Sequence, residues 1–299
     1  MIRSSPSIGI GITTKNRWDD LAVTLSHLRD EGLDSLETIV IDDGSDTPAP
    51  AEFLKRFPWV KFERYEKSAG NLPRRNRLAS LLSTEFYLSL DDDSFPVAGD
   101  LEAAADWLKE HPKVAALAFR IIMADDPLPD VNKVIPAILT KDFINCGVLL
   151  RREIFLSLGG YETRLHFYHE EPEYGFRVLQ NGYDIYAYPS VVIRHIVTMA
   201  ARPHASRARY FIRNVVLMDL WFYRKPKSIL RAVAHLPLLF LQLPKLRRHP
   251  GALIYGWLEG FFCYLAWRNL KRPLSADQLA EWQKRPGAQQ ATGSQAPLK

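Results

Sequence analysis

Three apolar runs that each end abruptly in a polar cluster constrain this chain more than any other feature. "SIGIGI" (7–12) is followed by Thr13, Thr14, Lys15, Asn16 and Arg17, and "LETIVI" by Asp42, Asp43, Gly44 and Ser45. "FYLSL" runs into Asp91, Asp92 and Asp93 before breaking at Pro96. Between such runs lie helical patterns. Leu21, Leu25 and Leu28 recur at helical spacing over 18–31 with Gly32 as the stop, Pro73 opens "LPRRNRLASLLS", and "DLEAAADWLKE" fills 100–110. "VKFERY" and "VAALAFRII" read as further strands. Strands alternating with helices predict an α/β fold with a mostly parallel central sheet and helices on both faces. In such sheets ligands bind outside the carboxyl ends of the strands, where all three clusters fall.

The Asp triplet poses a specific problem. Adjacent carboxylates repel and raise one another's pKa unless positive charge stands between them. A solvated turn is the plain alternative, because Asp is common in turns. Three polar clusters at one sheet edge favour a bound divalent cation, or the metal–diphosphate pair of a nucleotide. The chain has no G-x-G-x-x-G after its first strand and no G-x-x-x-x-G-K-[ST], which argues against a dinucleotide oxidoreductase and a P-loop ATPase.

The second half adds acids and a histidine. "FINCGVLL" reads as a strand and "RREIFLSLGGY" as a short helix. Glu170, Glu171 and Glu173 crowd the start of a helix that stops at Gly182, where plain interaction with the helix dipole is the competing explanation. His166 and His169 lie three apart but form no H-E-x-x-H and lack a third ligand at protease spacing, which disfavours a hydrolytic zinc site. His195 ends the strand "YPSVVIRH", a place where a core or turn histidine is the ordinary reading. Cys146 and Cys263 stand far apart in apolar contexts, with no disulfide framework, so a reducing compartment is expected.

Taken together, the segments from about Ser7 to His195 resemble the family 2 glycosyltransferases of the GT-A (Rossmann-like) fold. "ITTKNR" and "VIDDGSD" are similar to the nucleotide-contacting loops, "AGNLPRRNRLA" to the segment supplying an Arg near the diphosphate, and "LSLDDDSFP" to the D-x-D motif. "GGYETRLHFYHEEPEYGFRVLQNGYDI" resembles the acceptor loop with its acidic pair. The resemblance implies a nucleotide-sugar site of Thr13, Arg17, Asp42, Asp43, Arg75, Asp91 and Asp92. Within it Asp42 reads the nucleobase, Asp91 meets the ribose side and Arg75 lies near the diphosphate. It makes Asp93 and His195 ligands of a divalent cation, Mn2+ or Mg2+, and Glu171 the catalytic base. The family's usual base is the Asp of a Glu-Asp pair; here the pair is Glu170–Glu171, which leaves the choice between them open. Ser94 stands where some members carry a further acid.

One base and no separate nucleophile imply a single displacement with inversion, from a UDP- or dTDP-sugar favoured by Asp42 to a hydroxyl of a glycan or lipid-linked acceptor. A role in bacterial cell-surface polysaccharide or glycolipid synthesis is expected. The alternatives are a sugar-nucleotide nucleotidyltransferase, for which "TTKNR" lacks the Gly-rich loop, and a non-catalytic membrane-associated binding protein. The catalytic domain is expected over 1–200, its nucleotide-sugar half about 1–97 and its acceptor half about 98–200.

Beyond it the composition shifts. Between Arg202 and Leu258 eleven Lys/Arg face one acid, Asp219, so the +5 net charge resides there. "HLPLLFLQLPKL" is too short and Pro-broken to cross a membrane, and "GALIYGWLEGFFCYLAW" carries Glu259. A basic, apolar helical region over 201–283 is therefore expected to lie against an anionic membrane or to pack as a helical subdomain or homo-oligomer interface. Nucleic acid is not expected as a partner. A low-complexity tail, 284–299, is expected to be disordered. The start "MIRSSPSIGIGITT" lacks an apolar signal region, so the protein is expected in the cytoplasm, peripheral on the cytosolic face of the inner or plasma membrane.

Overall fold

The computed structural model describes residues 7–130, 135–196, 204–242 and 249–294. Arg202, Pro244, Lys245, Arg247 and Arg248 of the basic region, and the last five residues of the expected tail, lie outside these. The first half is a run of β1 (Ile8–Thr14), α1 (Trp18–Asp30), β2 (Glu37–Asp42), α2 (Ala51–Arg56), β3 (Val60–Arg64), α3 (Asn71–Leu81) and β4 (Phe86–Asp91). These strands pair in the order β3-β2-β1-β4, all parallel. Period-two alternation decides the faces. Ile8, Ile10, Ile12, Val40 and Leu88 pack in one buried layer, while Ile39, Ile41 and Tyr87 pack in the other.

The sheet continues through β5 (Ser94–Ala98), α4 (Leu101–Glu110), β6 (Val114–Met123), β7 (Ile138–Thr140), β8 (Val148–Arg151), α5 (Arg152–Ser157), α6 (Glu170–Gln180) and β9 (Asp184–His195). β8 enters antiparallel between β4 and β6, β6 and β9 pair in parallel, and β5 and β7 pair antiparallel with β9. Most paired residues are in parallel pairs, as the alternation of elements predicts. Pro96, expected as a break, lies inside β5. The strand tolerates it because β5 is the sheet edge and its register shifts between Pro96 and Ala98. The antiparallel entry of β8 has a consequence for the site: the turn before it, Asn145–Gly147, is brought beside the carboxyl end of β4.

The C-terminal third forms α7 (His204–Phe222), α8 (Lys227–Gln242), α9 (Pro250–Ala266), α10 (Ala276–Lys284) and α11 (Ala288–Thr292). Leu217, Trp221 and Phe222 of α7 and Trp282 of α10 belong to the same buried layer as Tyr161 and Tyr174, so these helices are part of the domain's core. The Trp282 ring stacks on Phe176 with centroids 3.9 Å apart. α9 lies flat on α7 because Gly256 and Gly260 remove the side chains that would hold it off. A Cβ at Gly256 would come 2.2 Å from the Arg209 carbonyl oxygen, and one at Gly260 2.7 Å from Val216 Cβ.

The disorder expected from 284 is corrected for residues up to 294. Arg285 pairs with Asp184 and Glu281, the Ala288 N–H donates to Asp142, and the Ile121 N–H donates to Ser294 Oγ. Gln, Ala and Thr offer no apolar pattern there. The segment is held by backbone groups at the rim of β6 and β7, which composition does not reveal.

Gly256→Ala is expected to lower unfolding free energy by about 1–3 kcal/mol through overpacking against α7. Gly251→Ala, in open space on the same helix, is expected to be neutral or to stabilise by about 0.4–1 kcal/mol. Paired urea titrations of the two variants check this.

Candidate active site

The register of the parallel strands sets one side of the site. Thr14 lies opposite Asp42 across β1–β2, and Thr13 opposite Asp91 across β1–β4, so three chain segments deliver their polar ends to one edge. The loops after β1 and β2 lock together. The Asn16 N–H donates to Ser45 Oγ at 2.8 Å, and Asn16 and Asp46 exchange two further bonds. Asn16 manages this at φ 57°, a conformation that Asn tolerates better than most residues.

The two acids after β2 part company. Asp42 accepts from the Ser45 N–H and hydroxyl through Oδ1, while its buried Oδ2 faces Arg64 at 3.4 Å. Asp43, grouped by the sequence with the nucleotide site, turns instead into the 68–74 segment. It accepts from Ser68, Ala69 N–H, Gly70 N–H and Arg74. Burial would raise its pKa, but these donors outweigh burial and lower it. Its carboxylate fixes the entrance to α3.

The triplet is resolved by three cations. Arg17 reaches Asp92 at 2.8 Å and Asp93 at 2.7 Å, with Asp20 behind it. Arg75 binds Asp91, Ser89, Asn71 and the Asn145 carbonyl from a fully buried position. Arg75, expected near the diphosphate, is 0% exposed and lies beneath Asp91, which it binds. Arg17, with its side chain 24% exposed, is the cation at the mouth. Asp92 also accepts from Thr14 Oγ1 at 2.8 Å. Burial, with the Asp93 and Asp91 charges, pushes Asp92 up to about 7 against the pull of Arg17 and Thr14. Thr13 donates to Asn71.

His195 closes the cluster from the end of β9. Its Nε2 stands 3.1 Å from Asp93 and 3.8 Å from Asp91, and its Nδ1 lies 3.7 Å from Cys146 Sγ. Burial disfavours its charged form, yet Cys146, Asp93 and Asp91 outweigh burial and raise its pKa. Asp91, Cys146 and His195 each offer a donor atom, all within 4.8 Å of one another. Carboxylate oxygens suit hard cations such as Mn2+ or Mg2+, while the imidazole nitrogen and the thiol beside it are softer donors. The donor set fits a divalent cation. Sequence reasoning missed Cys146 and Asn145, because their signal is topological: the turn "NCG" reads as apolar filler until β8 is known to run antiparallel to β4.

Across the site stand the paired glutamates. Asn145 Nδ2 donates to Glu170 at 3.2 Å, and Tyr161 OH donates to Asn145 Oδ1 at 2.5 Å. A continuous chain thus runs Asp91–Arg75–Asn145–Glu170. Glu170 is buried and Glu171 is half-buried at the first turn of α6. Glu173 is a structural acid, paired twice with Arg177, which in turn binds the carbonyls of Leu158 and Gly160. The segment before α6 takes positive φ at His166, Tyr168 and His169, and α7 holds it there. Asn214 Nδ2 lies within hydrogen-bonding distance of the carbonyls of Leu165, Phe167 and Tyr168, and Arg213 donates to those of Arg164 and Leu165. His166 and His169 form no metal group among the described residues.

Comparison with known proteins bears on this geometry. The profile of glycosyl transferase family 2 matches residues 9–158, half of the chain. A search of curated proteins found no sequence match. Among solved structures, GalNAc-T7 with UDP, GalNAc and Mn2+ is similar at a TM-score of 0.62 and 15% identity, over 92% of this chain and 60% of that one. The mannosyltransferase PcManGT from Pyrobaculum calidifontis, in complex with GDP-Man and Mn2+, is similar at 0.54 and 17%, over 93% and 79%. At such identities the likeness shows the fold: an α/β sheet flanked by helices, similar to GT-A glycosyltransferases.

His169 gives this half of the site a pH signature. The residue is half-buried, its Nδ1 is sealed from solvent, and its ring lies 5.0 Å from Phe211. Burial, aided by His235 and opposed by Asp219, lowers its pKa to about 4. Unfolded, it protonates near 6.5, so the native state is favoured fully above 6.5 and progressively less as pH falls to about 4. The 2.5-unit difference from 6.5 amounts to about 3 kcal/mol. His169→Asn, which suits the positive φ, is expected to flatten the stability–pH curve between about 6.5 and 4, measured by urea denaturation at each pH.

Proposed function

The chain belongs to glycosyl transferase family 2, and from that membership we propose a divalent-cation-dependent, inverting transfer of a sugar from a nucleoside-diphosphate sugar to a hydroxyl. UDP- or dTDP-sugars are the favoured donors, a glycan or lipid-linked molecule is the acceptor, and bacterial cell-surface polysaccharide or glycolipid synthesis is the setting. Cytoplasmic location with peripheral attachment to the inner face of the membrane belongs to the same reading. The observation that carries it is the convergence of Asp91, Asp93, His195 and Arg17 at one sheet edge, with Glu170 tied to them through Arg75 and Asn145 and Glu171 next to it on α6.

Each residue has a part that its position supports. Asp42 sits at the end of β2 with Oδ2 available to a nucleobase N–H once Arg64 turns aside. Thr13 and Thr14 line the floor, bonded to Asn71 and Asp92. Asp91, Asp93 and His195 would hold the cation, with Cys146 beside them. The bound cation supplies Lewis-acid stabilisation of charge developing on the leaving diphosphate. Arg17 faces that same charge and is free to exchange one carboxylate for a phosphate oxygen, since it holds two of the triplet already. Arg75 keeps Asp91 aimed from below.

Glu171 takes the acceptor proton in this reading. Its place in the first turn of α6 and its half-buried side chain support that part, whereas Glu170 is buried in the Asn145 network and serves to position the helix start. A single base with direct attack gives inversion at the anomeric carbon.

Glu171→Gln is expected to keep nucleotide-dependent thermal stabilisation and to lose about 10²–10⁴-fold in turnover of donor. Glu170→Gln is expected to lose stability as well as rate. Normal turnover by Glu171→Gln, with loss in Glu170→Gln alone, would move the base to Glu170.

A further inference from the structure

α9 shows two faces. Leu253, Gly256 and Gly260 are buried against α7, while Ile254, Tyr255, Leu258, Phe262 and Leu265 form an outward stripe at i, i+4 spacing. Phe262 is 70% and Leu265 62% exposed, unusual values for side chains of this size. α8 extends the apolar surface with Ile229, Leu230 and Val233, and Trp257 Nε1 donating to the Ala232 carbonyl joins the two helices. No helix among the described residues is long and apolar enough to span a bilayer. At 17 residues, α9 is about 25 Å long.

Charge completes the picture. Both acids of α7–α9 are bound inward, Glu259 by Arg209 and Asp219 by Arg231 and His235. The cations at one end of the stripe are exposed. Arg224 and Lys225 lie between α7 and α8, Lys227 opens α8, and Arg268 and Arg272 follow α9. The Arg272 N–H donates to the Trp221 carbonyl, so these two groups are neighbours.

We propose that the outward face of α8 and α9 docks on the headgroup region of an anionic phospholipid bilayer, holding the acceptor-side loop 163–169 at the membrane surface. An apolar stripe with cations clustered at one end fits such an interface. A second copy on this face would bring no acid to these cations, since both acids of α7–α9 are bound inward, whereas anionic headgroups meet them directly. The connection to the site is direct: Arg213 and Asn214 on α7 suspend the loop that leads into Glu170–Glu171, and Glu259 on α9 binds Arg209 of the same helix. A lipid-linked acceptor would then share this chain's membrane surface; this last step rests on the transferase reading, and the docking does not.

The test is flotation of the full chain with vesicles of phosphatidylglycerol and phosphatidylcholine, against pure phosphatidylcholine, without donor. The wild type is expected to bind the anionic vesicles at least about tenfold more, with binding weakened by salt. The Leu258→Ser/Phe262→Ser/Leu265→Ser variant is expected to lose about tenfold or more of that binding. Its circular dichroism and its stabilisation by UDP with Mn2+ should match the wild type. Equal vesicle binding by both proteins would overturn the proposal, as would a wild-type dimer in sedimentation that the triple variant dissolves. Vesicle binding with no response to any nucleotide would uphold the docking and remove the transferase reading.

Discussion

Three carboxylates in a row at the tip of a buried strand are compatible with a folded chain because Arg17, Arg75 and His195 surround them. Each cation comes from a different part of the fold: the loop after β1, the first turns of α3 and the end of β9. The charge balance is local and incomplete. Asp92 is pushed upward by burial and by its neighbours despite Arg17, which marks a cluster still short of positive charge. In the proposed reading a divalent cation would supply what is missing; in the chain by itself, Cys146, Asp93 and Asp91 raise the pKa of His195 against burial.

The same network ties the two halves of the domain. Arg75 joins Asp91 to the Asn145 turn, Asn145 joins that turn to Glu170, and Asn76 exchanges two bonds with the backbone of Tyr161. Groups from the two halves therefore share one buried polar frame, whose members are costly to remove singly. The C-terminal helices are a second support for it. α7 ties down the irregular backbone from Arg164 to Tyr168, and α9 can reach α7 closely enough because of Gly256 and Gly260.

Much of this was legible in residue order. Parallel strands place every polar cluster that follows a strand on the same edge, so Thr13, Asp42 and Asp91 could be grouped without coordinates, and the register confirms their adjacency. What stayed hidden depends on direction and depth. The reversed entry of β8 brings Cys146 to His195, and no spacing rule reports a reversal. Asp43 and Arg75 match their expected segments, but the first faces the 68–74 segment and the second lies under Asp91. The ordered stretch 285–294 is held by backbone bonds and a few polar side chains, which leave no mark on hydropathy.

The central claim is that the sheet edge binds a nucleoside diphosphate through a cation. Thermal unfolding of the purified chain with UDP, dTDP, GDP or CMP, each with and without Mn2+, addresses it directly. A ligand at a hundredfold excess over its Kd adds about 2.7 kcal/mol to apparent stability. The account predicts a clear rise in Tm with one diphosphate class, present with Mn2+ and absent without it, and lost in Asp93→Asn. No response to any nucleotide, or an equal response with and without metal, would contradict it.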